Sequence, residues 1–262
     1  MLHEILTNKR RELASIDTHA GVTGMIGRLR GLPPTRSLKQ ALTESASVAI
    51  IAEIKRKSPS KGILARAVEP ALLASQYESG GAGAISVLTD SRYFSGSADD
   101  LVEARSNTNL PVLRKDFIVD EFQVYESRVI GADAILLIVA ALSPGELSHL
   151  HRLARDIGLE VLVEVHDEKE MEIATAAGAQ IIGINNRNLK TFEISLSTTV
   201  RLSRLIPTDV VGVSESGVTC HDDIARLAAL GVDAALVGEK IMTAGNPEIA
   251  IRELLGGNSD QD

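Results

Sequence analysis

The feature that most constrains the fold is a repeat at the joints between predicted helices and predicted strands. Four such joints read alike: Gly81-Ala82-Gly83-Ala84-Ile85, Gly131-Ala132-Asp133-Ala134-Ile135, Gly178-Ala179-Gln180-Ile181-Ile182 and Gly231-Val232-Asp233-Ala234-Ala235. They recur about every 50 residues, and each interval holds two of the predicted strands. A two-strand unit repeated four times is expected of a closed eightfold barrel, whereas an open doubly wound sheet has no reason to repeat so evenly. The repeat therefore predicts an α/β fold, a (βα)8 TIM barrel.

The predicted strands are short apolar runs separated by amphipathic segments long enough for helices. They lie at about residues 48–54, 84–89, 111–115, 134–139, 160–165, 181–185, 210–214 and 234–238. Aromatic residues make up only 3 % of the chain and there is no Trp, so the core must consist of Ile, Leu, Val and Ala. That composition is typical of parallel strands covered by helices. Asp167, with Glu170 three residues later, is a cap signal for one of these helices.

Residues 1–47 precede the alternating strands and helices. They are predicted to form an N-terminal helical extension of a single domain that spans residues 1–262. Leu2, Ile5 and Leu6 predict one amphipathic helix. A glycine-containing loop follows at residues 21–31, and a second short helix is expected at about residues 36–46.

Charge and cysteine content exclude several classes of function. The net charge of −8 and the pI of about 5.3 disfavour non-specific nucleic-acid binding. The single cysteine, Cys220, excludes an intramolecular disulfide and a cysteine-cluster zinc site. The start of the chain has no signal-peptide core, and no stretch approaches the roughly 18 apolar residues of a membrane span. We therefore expect a soluble cytoplasmic protein, a monomer with neither a nucleic-acid nor a membrane partner.

Polar side chains gather where the predicted strands end, which is the face where barrel enzymes place their active sites. The candidates are Glu53 and Lys55 after strand one, Lys115 after strand three, Glu164 in strand five, Asn185 and Arg187 after strand six, Glu215, Ser216 and Gly217 after strand seven, and Gly238 and Glu239 after strand eight. Singly, each has a structural alternative, such as a surface ion pair for Lys115 and Asp116. The same polarity at six strand ends favours a common site.

Gly217 and Gly238 suggest what that site binds, because barrels often hold phosphate between the loops after strands seven and eight. Glycine lets backbone N–H groups approach an anion closely. Lys55 on strand one would adjoin strand eight in a closed barrel and add a positive charge. A small phosphorylated molecule is therefore the expected substrate.

The six histidines show no metal spacing, and we find neither a Ser/His/Asp arrangement nor a nucleotide-binding loop. Lys, Glu, Asn and Ser can carry acid–base chemistry on a carbonyl compound without metal or cofactor.

Seven motifs in order resemble those of the indole-3-glycerol phosphate synthase family. They are IAEIKRKSPSKG, LTDSRYFSGS, PVLRKDFIVDEFQVYESRVIGADAILLI, LVEVHDEKE, GINNRNLKTFEI, VSESGV and ALVGEKIM, covering about residues 48–255. The resemblance implies a (βα)8 barrel that cyclises 1-(2-carboxyphenylamino)-1-deoxyribulose 5-phosphate to indole-3-glycerol phosphate. Carbon dioxide and water are lost, in a step of tryptophan biosynthesis that uses neither metal nor organic cofactor. It implies a carbon–carbon lyase.

The resemblance also implies a role for each matching residue. Lys115 would be the general acid and Glu164 the base of the dehydration step. A lysine can serve as an acid near neutral pH if burial or nearby cations lower its pKa. Lys55 would hold the substrate anion and be able to donate a proton. The remaining residues fall into three sets: Glu53 and Asn185 as orienting groups with Ser216 and Glu215 beside them; Gly217, Gly238, the backbone at Glu239 and Arg187 around the phosphate; and Ser58, Phe94, Phe117, Leu136, Leu189 and Phe192 around the anthranilate ring and carboxylate.

Two departures from the family pattern stand out. Some members have Ser at the position of Glu239, whose carboxylate would repel a phosphate unless it turns away. Some also carry a large N-terminal aromatic residue against the substrate ring, and this chain has no Trp. Two other functions remain open: an aldolase that uses Lys115 or Lys55 as a Schiff base, and a non-catalytic phosphate-binding subunit. The intact Lys115, Glu164 and Asn185 argue against the second.

Overall fold

Eight parallel strands form a closed barrel in the computed structural model, which describes residues 1–45, 47–65, 67–189 and 191–257. In chain order they are β1 Ala49–Ile54, β2 Ala84–Leu88, β3 Val112–Lys115, β4 Ala134–Ile138, β5 Glu160–Val165, β6 Ile181–Asn185, β7 Val211–Glu215 and β8 Ala234–Val237. The barrel closes because Ile51 of β1 aligns with Ala84 of β2 on one side and with Leu236 of β8 on the other. The predicted (βα)8 barrel is confirmed, and so is each predicted strand.

Three helices precede the barrel, and the others follow its strands along the chain. They are α1 Leu2–Ala14, α2 Thr18–Leu29, α3 Leu38–Thr43, α4 Pro70–Ser79, α5 Ser91–Phe94, α6 Ala98–Ser106, α7 Glu121–Val129, α8 Pro144–Asp156, α9 Glu168–Ala176, α10 Ser197–Leu202, α11 His221–Ala229, α12 Glu239–Met242 and α13 Pro247–Leu254. Two single turns of 3₁₀ helix lie at Val139–Ala141 and Ser203–Leu205, and a two-stranded ribbon pairs Lys57–Ser58 with Gly62–Ile63. None of the described helices is long and apolar enough to cross a membrane.

Two apolar layers hold this arrangement together, and strand alternation separates them. Residues such as Ile51, Leu113 and Leu162 fill the inside of the barrel. Their neighbours, such as Ala52 and Val163, face outward and pack under the helices. Because successive side chains of a strand point to opposite faces, both layers follow from continuous apolar strands.

The N-terminal extension runs along the whole height of the barrel. At the carboxyl ends of the strands, Lys9 of α1 forms ion pairs of 3.0 Å with both Asp90 and Asp116. At the amino ends, the Ser37 hydroxyl and the Lys39 backbone N–H donate to the carboxylate of Glu160, the first residue of β5. The extension therefore covers one mouth of the barrel with α1 and plugs the other with α3.

The prediction of a loop at residues 21–31 was wrong, because Thr18–Leu29 form α2. Asp17 caps this helix by accepting a hydrogen bond of 3.0 Å from the Ala20 N–H. Gly21 lies so close to the Phe122 ring that a Cβ there would be 2.7 Å from the nearest ring carbon. Glycine is unfavourable within a helix, but here it permits close packing of α2 against α7.

Candidate active site

The side chains that face the inside of the barrel change from apolar to charged near the carboxyl ends of the strands. The change takes place between one inward-facing residue and the next. Four inward-facing apolar residues are each followed, two positions later, by a charged residue. Ile51 is followed by Glu53, Leu113 by Lys115, Leu162 by Glu164 and Val213 by Glu215. Glu53, Glu164 and Glu215 are at most 4 % exposed. Since buried charges need partners, the same periodicity that builds the core also concentrates charge at its carboxyl end.

A cavity of about 540 Å³ opens at this end of the barrel. Every site residue predicted from the sequence lines it: Glu53, Lys55, Ser58, Phe94, Lys115, Phe117, Leu136, Glu164, Asn185, Arg187, Leu189, Phe192, Glu215, Ser216, Gly217, Gly238 and Glu239. Lys55 and Lys115 thus share one cavity, as the expected mechanism requires. The chemical roles of these residues stay predictions.

Lys115 Nζ lies between two carboxylates, 3.1 Å from Glu215 Oε2 and 3.5 Å from Glu164 Oε2. Burial lowers the pKa of Lys115, but Glu215, Glu164 and Glu53 outweigh burial and raise the pKa well above its ordinary value. The condition that burial or nearby cations lower this pKa is not met, because the nearby charges are carboxylates rather than cations. Lys115 is therefore a protonated donor, which is the form that a general acid needs.

Glu164 is held from two sides. Oε2 faces Lys115, while Oε1 accepts a hydrogen bond of 3.1 Å from Asn185 Nδ2 and lies 3.2 Å from His166 Nε2. Burial raises the pKa of Glu164, yet Lys115 and His166, with help from Asn185, lower it to about 2. The carboxylate is therefore ionised at neutral pH and available as a base.

Glu215 differs from Glu164 although both are buried carboxylates beside Lys115. Burial raises its pKa, Lys115 opposes this, and the negative charges of Glu164 and Glu53 leave the pKa at about 7. Space for its side chain comes from Gly183 of β6, where a Cβ would overlap the Glu215 carboxylate. Glycine at this position is a requirement of the charged site rather than of the strand.

Lys55 forms an ion pair with Glu53 two residues before it on β1. Gly238, just after β8, leaves room for this pair, because a Cβ there would overlap the Glu53 carboxylate and come within 3.0 Å of Lys55 Nζ. The pair lies where strands one and eight meet, beside the predicted phosphate loops.

The loop after β7 has a left-handed backbone at two successive residues. Ser216 and Gly217 both have positive φ, 66° and 95°, and the Ser216 hydroxyl donates to Asn185 Oδ1 over 3.2 Å. Arg187 Nη1 donates to Ser60 Oγ over 3.1 Å, and Glu239 Oε1 lies 3.2 Å from Lys61 Nζ. The Glu239 carboxylate is therefore engaged by a lysine of the loop after β1.

The apolar end of the cavity is aromatic and aliphatic. Phe94 and Phe117 lie with their ring centroids 6.1 Å apart. Met1, Leu2 and Ile5 of the N-terminal segment also line the cavity and are among the lining residues that were not predicted from the sequence. The apolar face of α1 was the available signal for them. His166, also missed, was inside a quoted motif.

Fold and site together define a (βα)8-barrel protein with lysine ammonium groups and buried carboxylates around a cavity at the carboxyl ends of its strands. The family model that matches residues 2–254 is that of indole-3-glycerol phosphate synthase. The chain belongs to the indole-3-glycerol phosphate synthase family. This confirms the resemblance seen in the motifs and, with it, the predicted enzyme class, a decarboxylating lyase of tryptophan biosynthesis.

Two relatives support this assignment, and a solved structure shares the fold. The indole-3-glycerol phosphate synthase of Chloroherpeton thalassium is 45 % identical over 246 residues, which cover 93 % of this chain and 95 % of that protein. That of a Nocardioides species is 46 % identical over 259 residues, 99 % of each chain. The 3-hexulose-6-phosphate synthase of Salmonella typhimurium superposes with a TM-score of 0.63 at 13 % identity, over 79 % of this chain and 96 % of that one, and so shares the fold.

Proposed function

We propose that the chain converts 1-(2-carboxyphenylamino)-1-deoxyribulose 5-phosphate to indole-3-glycerol phosphate, with Lys115 as the general acid and Glu164 as the base. The observation that carries this proposal is the position of Lys115 Nζ, which contacts Glu164 and Glu215 on two other strands. An acid and a base that are held on separate strands in the wall of one cavity can both reach a substrate bound in it.

In the first step the anthranilate ring carbon attacks the ribulose carbonyl carbon. Lys115 donates its proton to the carbonyl oxygen, and the ring loses its carboxylate as carbon dioxide. In the second step the resulting hydroxyl accepts the proton that Lys55 donates and leaves as water, while Glu164 takes a proton from the neighbouring carbon. Lys55 also pairs with the substrate anion, while Glu53 and Asn185 orient the two lysines and the substrate hydroxyls.

The two ends of the cavity fix the substrate's direction. Gly217, Gly238, the backbone at Glu239 and Arg187 would hold the phosphate. The apolar end would hold the anthranilate ring, with Ser58 near its carboxylate, through Phe94, Phe117, Leu136, Leu189 and Phe192. Ser216 and Glu215 complete the wall between these ends.

The test is to incubate the protein with the carboxyphenylamino-deoxyribulose phosphate and follow indole fluorescence without added metal. We expect Lys115→Ala to lower the rate by at least about 10²-fold, and Glu164→Gln to lower kcat far more than it raises KM. Lys169→Ala, on the exposed surface of α9, is the matched control. Full activity in Lys115→Ala would exclude the general-acid role.

A Schiff-base aldolase is the second candidate function, since it too uses a strand-end lysine. The raised pKa of Lys115 disfavours it, because a Schiff base forms from the neutral amine. Borohydride reduction in the presence of a ketose phosphate would trap a covalent adduct if this mechanism operated. We expect no gain in mass.

We further propose that residues 1–262 act as one domain and as a monomer in the cytoplasm, on a small phosphorylated substrate and without a nucleic-acid partner, metal or cofactor. The net charge of −8 and the ties of both α1 and α3 to the barrel support this. Light scattering should give the mass of one chain, and urea should unfold the chain in one transition. A stable dimer or two transitions would contradict these two points.

A further inference from the structure

His166 contacts the proposed base, Glu164, and is an ionisable residue outside the lining of the cavity. It directly follows β5, and its Nε2 lies 3.2 Å from Glu164 Oε1. Nε2 is buried and makes no well-aligned hydrogen bond with any residue that the structure describes. The ring nitrogen thus faces the carboxylate with no competing partner in the described structure.

The other side of the ring is fixed by the start of α9. Asp167 caps this helix by accepting from the Glu170 N–H over 2.9 Å. Glu170 Oε2 in turn accepts from the His166 backbone N–H over 2.8 Å and lies 2.9 Å from His166 Nδ1. One carboxylate therefore holds both the backbone and the ring of His166, so that the helix cap sets the direction of Nε2.

The charged groups that face the ring are Glu164 of β5, Glu170 of α9 and, beyond Glu164, Lys115 of β3. Burial lowers the pKa of His166, but hydrogen bonding and charge from Glu164 and Glu170 raise it to about 10. At neutral pH the ring is thus an imidazolium between two carboxylates.

We propose that His166 is a positioning residue for Glu164, which holds Oε1 together with Asn185 and so leaves Oε2 as the oxygen that takes the substrate proton. The two oxygens have different surroundings, since Oε1 contacts His166 and Asn185 while Oε2 contacts Lys115. When Lys115 donates its proton, Oε2 loses its cationic partner and becomes the more basic oxygen. His166 keeps its charge through that step and keeps the carboxylate ionised and oriented.

This inference rests on the proposed function, but one of its tests does not need activity. Nitrogen-15 NMR of the ring should show both ring nitrogens protonated at pH 8. In Glu164→Gln, the titration midpoint of His166 should fall by at least about one unit, a tenfold loss of proton affinity. A neutral ring at pH 8, or a midpoint that does not move, would overturn the proposal even if the protein made no product.

The kinetic test compares His166→Gln with His149→Gln, a histidine on the surface whose Nε2 lies 2.6 Å from Glu121. We expect His166→Gln to lower kcat about 10- to 100-fold, the range for losing one contact between charged groups, with KM within about threefold. His149→Gln should match the wild type. Adding His166→Gln to Glu164→Gln should cause no further loss, because the residue acts through that carboxylate. If the two substitutions lowered kcat independently, so that their effects multiplied in the double variant, the positioning role of His166 would be refuted.

Glu170→Gln gives a second route if His166→Gln does not fold. This variant keeps the ring and removes its outer carboxylate, so we expect a smaller fall in kcat of at least about threefold and a lower His166 midpoint. An unchanged kcat and midpoint would contradict the positioning role. If the wild type forms no product but the NMR result is as expected, the proposed reaction is wrong, while the ion pairs of His166 with Glu164 and Glu170 are still supported.

Discussion

Lys115 of β3 and Glu215 of β7 lie on opposite sides of the barrel, yet their Nζ and Oε2 atoms are 3.1 Å apart. The two side chains therefore meet across the barrel rather than between neighbouring strands. This contact holds the ammonium group over the centre of the cavity and is the largest favourable influence on the raised pKa of Lys115. It also ties the general acid to the strand that leads into the predicted phosphate loop.

The first prediction concerns the alkaline limit of activity. Glu215 keeps Lys115 protonated, so Glu215→Gln should lower the pKa of Lys115 and move the alkaline loss of kcat/KM to lower pH. The wild type should stay active up to about pH 10, while kcat/KM of the variant should begin to fall at a pH at least about one unit lower. Rates of indole formation from pH 6 to 10.5 measure this. Identical profiles would mean that Glu215 does not set the charge of Lys115.

The second prediction concerns the space that glycine leaves for Glu215. Gly183→Ala should push the Glu215 carboxylate away from its place beside Lys115 and lower kcat by at least about tenfold. Gly145→Ala is the matched control, because a Cβ there meets no atom within 4 Å in the first turn of α8. The control should keep full activity and gain up to about 1 kcal/mol of stability. An active Gly183→Ala enzyme would show that Glu215 can move without cost.

The third prediction concerns the ion-pair cluster under α1. Lys9 is 7 % exposed and contacts Asp90 and Asp116, so Lys9→Met leaves two buried carboxylates without their shared cation. We expect a loss of about 3–5 kcal/mol in the free energy of unfolding, measured in urea. Arg10→Met, the exposed neighbour on the same helix, should change it by no more than about 0.5 kcal/mol. Equal effects of the two substitutions would remove the cluster's structural role.

The fourth prediction concerns acid. Burial raises the pKa of Asp116, but Arg114 and Lys9 outweigh burial and lower it. A carboxyl group with a lowered folded-state pKa stabilises the fold above its unfolded value of about 3.9, and this contribution is lost as the pH falls through the folded value. Wild-type stability should therefore drop below about pH 4. Asp116→Asn should be less stable than the wild type at neutral pH, and its free energy of unfolding should fall less as the pH is lowered. Plots of this free energy against pH that run parallel for the two proteins from pH 7 to 3 would contradict this account.

The fifth prediction concerns Glu239, whose carboxylate stands beside the predicted phosphate loop and pairs with Lys61. Both side chains are well exposed, so the effect is modest. Glu239→Ser should free Lys61 and lower KM about two- to fivefold with kcat nearly unchanged. Glu253→Ser, which removes another exposed carboxylate near Lys240, is the control. A raised KM would instead show that the Lys61 contact helps to hold the loop after β1.

The strands and the lining of the site could be predicted from sequence because both follow from local periodicity. An apolar run with a period of two places Glu53 and Glu164 on the inner face, and the barrel repeat brings their strand ends together. The motif resemblance added Phe94 and Leu189, which lie outside the strands and have no periodic signal of their own.

What could not be predicted depends on contacts between residues far apart in the chain. The helix Thr18–Leu29 contains three glycines and looked like a loop, because its stability comes from packing on Phe122. The sign of the Lys115 pKa shift depends on three carboxylates from other strands, so burial alone gave the wrong direction. The path of residues 1–45 over both mouths of the barrel has no local signature.

That path has a consequence for the order of folding. The backbone N–H of Arg36 binds Asp133, 97 residues further along the chain, and Ser37 binds Glu160 across a separation of 123. Both acceptors leave the ribosome long after their donors, and contacts of such long range form slowly. The N-terminal helices are therefore made before the strands on which they dock and are among the last elements to dock. Since Leu2 and Ile5 line the cavity, a nascent chain has no complete site until α1 has folded back over the barrel.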